Sequence, residues 1–454
     1  MSQAVKPFSP QTDLTPPRTG GDRGPELKKI LSSGDGLAIV VGVVIGAGIL
    51  GAPGLIAGYL GNPFVMLGVW VFGGVSVALS TLILAELGSM LPRAGGKYAY
   101  VRAAYGDRAG CFAGWAEVLL NRSFTGALKA NLLGTYVATL VGVGSPKLYV
   151  VILVAGLLAL HLGGLRAGKT FQNLSTVIKV VVLIAIVAAG FALGNGASWQ
   201  NVAPFNPKQG AFLAIALAYQ SVFFTYYGVE TSLQMSEELR DPARSVPRML
   251  LYGAASITGL YLLINLAFLH TLTPSEMAGS KLVAEDVLAR GLGSAAGAAV
   301  KVAAIAILIS SINVNFMGTP RIAFGLGRDQ LAPSAFANVS KRGTPTAGLI
   351  LTALIILTLA VSGTFELLIR FMSFFTLIVD GIVLTSIIAL RRRAPDAIRP
   401  FRVPAYPLIP ALAIALYVAV LIIIIVTQTK LALGALGVLA LVAIGAWFGV
   451  KAKA

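Results

Sequence analysis

The chain has 454 residues, 56% hydrophobic and only 12% charged, with a mean hydropathy of +0.83. A soluble globular chain carries about 25% charged residues, so the composition excludes an ordinary soluble enzyme, a disordered chain and a disulfide-stapled one. The formal charge of +17 does not point to nucleic acid, because in a chain this apolar the information lies in where Lys and Arg sit relative to the apolar runs.

Residues 1–30 are rich in Pro, Gly, Thr and charge and read as a flexible cytoplasmic tail. The first apolar run begins near Leu37 and is too long for a signal-peptide core, so no cleavable signal is expected. A spanning helix needs about 20 apolar residues. Such runs recur at 36–59, 64–89, 111–142, 147–164, 172–195, 211–236, 249–272, 295–325, 346–362, 366–390, 406–428 and 432–450. They predict an all-α integral membrane protein with about 12 transmembrane helices.

Orientation follows from the loops. With the N-terminus in the cytoplasm, the strongly basic stretches all fall on one side. These are Lys28-Lys29, the set Arg93, Lys97, Arg102 and Arg108, the pair Arg166 and Lys169, and the set Arg240, Arg244 and Arg248. The same side receives Arg328, Lys341 and Arg342, then Arg391-Arg392-Arg393 with Arg399 and Arg402, and finally Lys451 and Lys453. The expectation is a multi-pass protein of the cytoplasmic (inner) membrane with both termini inside.

Two spans are interrupted. The first reads GVVIGAGILGAPG over 42–54, and the sixth reads FFTYYGVETS over 223–232. Glycine costs about 1 kcal/mol per helical position relative to alanine, so a continuous helix is disfavoured near 46–49. Broken helices are tolerated at membrane depth where the freed backbone lines a cavity or is buried in protein. The two breaks lead two five-span halves, 31–200 and 201–394, followed by two further spans in 395–454. Paired interruptions of this kind point to a transport site between inverted repeats. The alternative for each glycine cluster is close helix packing.

The stretches VIGAGILGAPG (44–54), AELGSMLPRAGGKYAYVRAAYG (85–106), FQNLSTVIKVVVL (171–183) and YYGVETSLQMSEELRDPARSVPRML (226–250) carry a resemblance. So do PRIAFGLGRDQLAP (320–333), RGTPTAG (342–348) and RPFRVPAYPLIP (399–410). On these residues the chain resembles the amino acid–polyamine–organocation superfamily, and within it the bacterial relatives of the L-type amino-acid transporters. The resemblance implies a five-plus-five inverted-repeat fold with broken helices 1 and 6, two extra C-terminal helices, and alternating access. It implies a secondary-active amino-acid permease or exchanger that performs no chemistry. The alternative is a carrier of polyamines or other organic amines.

Each matched site also has a physical reading. Helix N-termini favour anions and C-termini favour cations. The backbone N–H groups of Gly46, Ala47, Gly48 and Ile49 are therefore expected to take a substrate carboxylate. The carbonyls of Val44, Ile45, Tyr226, Tyr227 and Gly228 are expected to take its ammonium. Lys179 lies within an apolar span, where a charge costs at least about 2.5–3.5 kcal/mol and needs a partner. By resemblance it reaches the unwound first helix, stands where sodium-coupled relatives hold a cation, and makes transport sodium-independent, with proton coupling open to Lys179 and Glu230. The competing reading is a lysine that snorkels to the interface.

Glu230 in Gly-Val-Glu-Thr resembles a glutamate of the arginine–agmatine and putrescine carriers, near the substrate path; an internal ion pair with the third span is the other reading. Arg122, Thr125 and Lys129 share one helical face. They read either as contacts to an anionic substrate side chain or as a structural network, Arg122 with Glu230 and Lys129 with Asp380. Phe224 aligns with the gating aromatic of L-type relatives. Asn313 and Asn315 line the side-chain pocket or serve as interhelical glue.

No metal site is expected from Cys111, His161 and His270, and both histidines read as interfacial packing residues. No cofactor is implied, and no nucleotide-binding loop, HExxH or Ser/His/Asp set is present. Cys111 falls at the inner end of the third span, so no disulfide-linked ancillary subunit of the eukaryotic L-type kind is expected. The partners are then the bilayer and a small amino acid or amine, with a monomer or weak homo-oligomer as the assembly.

Overall fold

The computed structural model describes residues 29–200, 202–280 and 282–451. The tail expected at 1–30 falls almost wholly outside them, as do Lys28 and Lys453. Among the described residues the only extended pairing is a single bridge between Leu31 and Leu239; everything else regular is helix.

The first predicted span is two helices, α1 (Ser33–Val44) and α2 (Ala47–Leu60), followed by α3 (Pro63–Met90). Two short helices come next, α4 (Lys97–Tyr105) and α5 (Asp107–Ala116). A π-helical turn at Glu117–Arg122 leads into α6 (Ser123–Val141), then α7 (Pro146–Leu162), α8 (Leu165–Leu193) and α9 (Ala197–Gln200). The second break separates α10 (Ala211–Tyr226) from a 3₁₀ segment, Val229–Glu238. After it run α11 (Pro242–Thr271), α12 (Pro274–Gly279), α13 (Val283–Leu292) and α14 (Ser294–Arg328). The chain ends in α15 (Thr346–Ser362), α16 (Phe365–Arg393), α17 (Leu408–Thr427) and α18 (Thr429–Lys451).

Local chemistry sets the starts. Asn62 accepts from the N–H groups of Phe64 and Val65, with Pro63 at the first helical position, where its missing N–H costs nothing. Ser32 and Asp35 form a reciprocal capping box on α1. Ser145 and Pro146 start α7 in the same way as Asn62 and Pro63.

Among the described residues, eight helical stretches, one of them α10 together with its 3₁₀ continuation, are long and apolar enough to cross a membrane. The count is nine if Asp107–Val141 and Pro146–Leu162, bent by 117°, form one broken span. Each of the twelve predicted segments coincides with helix.

The apolar faces point outward. On α8, Leu174, Val177, Val181 and Ile184 are exposed while Gln172, Thr176, Lys179, Leu183 and Ile186 are buried. That inverted amphipathicity is what a lipid-facing helix needs, since its polar groups must find partners inside the bundle. The buried edge runs along α1 as a ladder: Asn173 to Asp35, Thr176 to the Ala38 carbonyl, Lys179 to the Gly42 carbonyl.

Candidate substrate site between two broken helices

Both interruptions are present and lie side by side. Helix α1 ends at Val44 and α2 begins at Ala47. Helix α10 ends at Tyr226, and Gly228 takes φ +123° before the 3₁₀ segment. A Cβ on Gly228 would lie 3.2 Å from Val43 Cγ1, and one on Gly48 would lie 2.9 Å from Thr225 Cα. The end of α1 therefore meets the start of the 3₁₀ segment, and the start of α2 meets the end of α10. The Tyr261 hydroxyl bridges the breaks, donating to the Val44 carbonyl at 2.8 Å and the Thr225 carbonyl at 3.4 Å.

The carbonyl end of α1 is capped from within the bundle. Lys179 Nζ donates to Gly42 O at 2.5 Å and Ile45 O at 3.0 Å, and Ser311 Oγ donates to Val43 O at 3.0 Å. Lys179 is 1% exposed and is the central residue of α8. The ammonium is thus turned into the bundle against the snorkelling reading, on a helix that starts at Leu165 rather than 172. Val44 and Ile45, expected to receive a substrate ammonium, already accept from Tyr261 and Lys179. The opposite end is different, because Gly46 is the N-cap of α2 and no side chain caps that helix. Its first N–H groups, at Ala47, Gly48 and Ile49, form an uncapped helix N-terminus facing the break, the arrangement that favours a carboxylate. At the second break the Gly228 N–H donates to Glu230 Oε2 at 3.2 Å.

Below the breaks lies a buried charge network. Arg122 donates to Glu117 Oε1 at 2.7 Å, Glu230 Oε1 at 3.0 Å and Thr231 Oγ1 at 2.5 Å. Lys97 donates to Asp380 Oδ1 at 2.6 Å and stands 3.3 Å from Glu117 and 3.5 Å from Glu230. Asn121 joins Glu117 to the Tyr227 hydroxyl and accepts from Thr376. The π turn at Glu117–Arg122 turns Glu117, Asn121 and Arg122 all inward, where they are buried. A small cavity beside the cluster is lined by Ser80, Thr81, Lys97, Tyr227, Glu230 and Asp380, among others, with room for about 20 Å³ of water centres, one or two molecules.

Several expectations change here. The Arg122–Glu230 pair forms, but Asp380 is held by Lys97, not by Lys129. Lys97, counted among the cytoplasmic surface cations, is 1% exposed and sits in the middle of the network. Asn313 is interhelical glue: its Oδ1 meets His161 Nε2 at 2.8 Å and its Nδ2 donates to Gln172 Oε1 at 3.0 Å. His161 is accordingly buried inside the bundle rather than interfacial. Asn315 is fully buried, with both amide atoms unpartnered. Thr125 bonds back to the Asn121 carbonyl. Phe224 packs against an apolar cluster that includes Leu128, Ile312 and Phe316. The Cys111 thiol is buried. Sequence reasoning also missed Glu86, which holds Arg391 at 2.6 Å and Arg399 at 3.2 Å across the α3–α16 contact.

An all-helical bundle with apolar outer faces, and with two helices broken side by side above buried charge, is the frame of a multi-pass membrane transporter. The chain matches the family described as amino acid permease over residues 35–447, and it belongs to that family. It is 27% identical to the serine/threonine exchanger SteT of Bacillus subtilis over 402 residues, covering 86% of this chain and 89% of that protein. It is also 27% identical to the b(0,+)-type amino acid transporter 1 of Mus musculus over 401 residues, covering 86% and 82%. The large neutral amino acids transporter small subunit 2 of Mus musculus is 27% identical over 410 residues, covering 87% and 76%.

Proposed function

We propose that the chain is a sodium-independent amino-acid permease or exchanger that works by alternating access. In this reading it has twelve spans and cytoplasmic termini. The halves 31–200 and 201–394 form the inverted repeats, and 395–454 adds two spans. Ala47, Gly48 and Ile49 hold the substrate α-carboxylate on backbone N–H groups. Tyr226 and Tyr227 offer carbonyls to the α-ammonium, and Phe224 closes over the bound molecule.

The observation that carries the reading is the pair of bonds from Lys179 Nζ to the carbonyls of Gly42 and Ile45. Carbonyls at the end of a helix attract a cation, and here the cation is a tethered ammonium. A free sodium ion has no role to play there, and any coupling ion is a proton. The relatives, one named a serine/threonine exchanger and the others amino acid transporters, support an amino acid over a polyamine. So does the Glu230 carboxylate, already shared by Arg122 and Lys97 and not available to a substrate amine.

The test is uptake of labelled amino acids and diamines into liposomes holding the purified protein, with choline replacing sodium and with an imposed pH gradient. Amino-acid uptake that is indifferent to sodium is the expected outcome. Sodium stimulation would remove the role of Lys179, and preferential diamine uptake would favour the amine carrier.

A further inference from the structure

Seven ionisable side chains are buried around the breaks: Lys97, Arg122, Lys129 and Lys179 against Glu117, Glu230 and Asp380. The three carboxylates are engaged by Lys97 and Arg122. Lys179 is held by two backbone carbonyls. That leaves Lys129. It is 8% exposed, and among the described residues no carboxylate or carbonyl accepts from it. Its charged neighbours are Arg122, Glu230 and Lys179, and the one carboxylate of these is already spoken for.

A second unpaired group lies on α14, the helix packed against α6. Asn315 has neither Oδ1 nor Nδ2 in a hydrogen bond, though its side chain is fully buried. A Cβ on Gly126 would stand 3.1 Å from Asn315 Nδ2, and Lys129 lies one helical turn beyond Gly126 on the same face. One turn before Asn315 on α14, Ser311 bonds the Val43 carbonyl beside the first break. The two unpartnered groups thus sit on α6 and α14, two helices that pack against each other, and α14 reaches the first break through Ser311. Buried polar groups in native proteins are paired as a rule, and an intramembrane charge needs a counter-charge. What is missing is an anion that also accepts an amide N–H.

We infer that Lys129 and Asn315 form the side-chain subsite of the carrier and that its substrate is an amino acid whose side chain ends in a carboxylate. This rests on the permease reading and adds the substrate class to it. The α-carboxylate goes to the α2 N-terminus. The side-chain carboxylate takes the Lys129 ammonium and the Asn315 Nδ2–H. The single negative charge of such a substrate cancels the one cation in excess. A basic substrate would add to that excess, and a hydrocarbon side chain would leave both groups unpaired. Arg122, the other cation on this face, is saturated by Glu117, Glu230 and Thr231.

The experiment is competition in liposomes, with L-aspartate, L-glutamate, L-serine, L-leucine and L-lysine against a labelled amino acid, for wild type, Lys129→Gln, Lys129→Arg and Asn315→Ala. The acidic amino acids should compete roughly tenfold or more better than leucine, the ratio expected of a charged hydrogen-bonded contact. Lys129→Gln should erase that preference, Lys129→Arg should keep it, and Asn315→Ala should weaken it. Thermal unfolding of the purified protein gives an independent readout: aspartate should raise the midpoint of wild type and Lys129→Arg but not of Lys129→Gln. Should the glutamine variant fail to fold, the wild-type competition series decides alone. Uptake of neutral amino acids with aspartate no better a competitor than lysine overturns this inference and leaves the permease reading standing. Uptake of no amino acid overturns both.

Discussion

At the scale of single residues, the site is built from lysines with different partners. Lys179 replaces part of the backbone pairing that the broken α1 gives up. Lys179→Ala should reduce uptake by roughly an order of magnitude or more, because the freed carbonyls lose a charge-assisted donor; near-normal uptake in liposomes would end its assigned role. Lys97 makes a different prediction. Removing one partner of a buried ion pair typically costs about 3–5 kcal/mol, and among the described residues Lys97 is the only group that bonds Asp380 Oδ1, at 2.6 Å. Lys97→Met should lower the unfolding midpoint sharply, and Lys97→Met combined with Asp380→Asn should recover much of the loss. A double-mutant cycle in unfolding experiments measures that coupling, and additive effects would show that the pair is not the seat of the stability. Lys97 was not legible as a core residue, because its neighbours Arg93 and Arg102 gave the stretch the look of a basic loop and its partner is 283 positions away. Asn313 and Asn315 are a similar case. They differ by about 200° around the helix axis, so one meets His161 and the other lies against Gly126 of α6, and residue type alone carries no trace of that.

At the scale of elements, the breaks were legible because glycine and proline act on the backbone locally. Gly228 is needed for its φ of +123°. Gly48 is needed for another reason, because α2 and α10 touch there and a Cβ would meet the Thr225 backbone. Gly228→Ala should therefore store about 1–3 kcal/mol of backbone strain and lower both stability and uptake. Gly48→Ala should force α2 away from α10. Circular dichroism melting beside liposome uptake checks both, and wild-type behaviour in Gly228→Ala would mean that the second break tolerates a side chain. What followed each break was not legible. The 3₁₀ form of Val229–Glu238 and the π turn of Glu117–Arg122 go with the partners their charged side chains find, Glu230 with Arg122 and Lys97, Glu238 with Arg321, and Glu117 with Arg122 and Lys97. Those contacts are tertiary, and no local pattern of the sequence encodes them.

At the scale of the whole molecule, one end of the bundle is tied shut below the breaks. The 3₁₀ segment ends in Glu237 and Glu238, which pair with Arg328 at 2.6 Å and Arg321 at 2.9 Å at the far end of α14. Leu31 donates to the Glu238 carbonyl and accepts from the Arg240 N–H, so the segment leading into α1 is latched to the same place. The loop before α4 joins in, with the Ala94 N–H donating to Glu237 Oε2. On the alternating access proposed above, this set of contacts would be released in one state and remade in the other. The Glu238–Arg321 pair is almost fully buried, so its loss weighs more than that of an exposed pair, which is worth about 0–1 kcal/mol. Replacing both acids by glutamine should shift the population toward the form open at this end. A cysteine introduced at Leu31, which is 1% exposed, reports that shift, because the native Cys111 is itself buried and gives a low background. The Leu31→Cys thiol should react with a membrane-impermeant reagent roughly fivefold faster or more in the double-glutamine background, the change that about 1 kcal/mol of population shift produces. Equal labelling rates in two folded proteins would mean that these contacts are a permanent strut, and the moving parts would have to be sought at the opposite end, where the Gly54 region of α2 packs on α12.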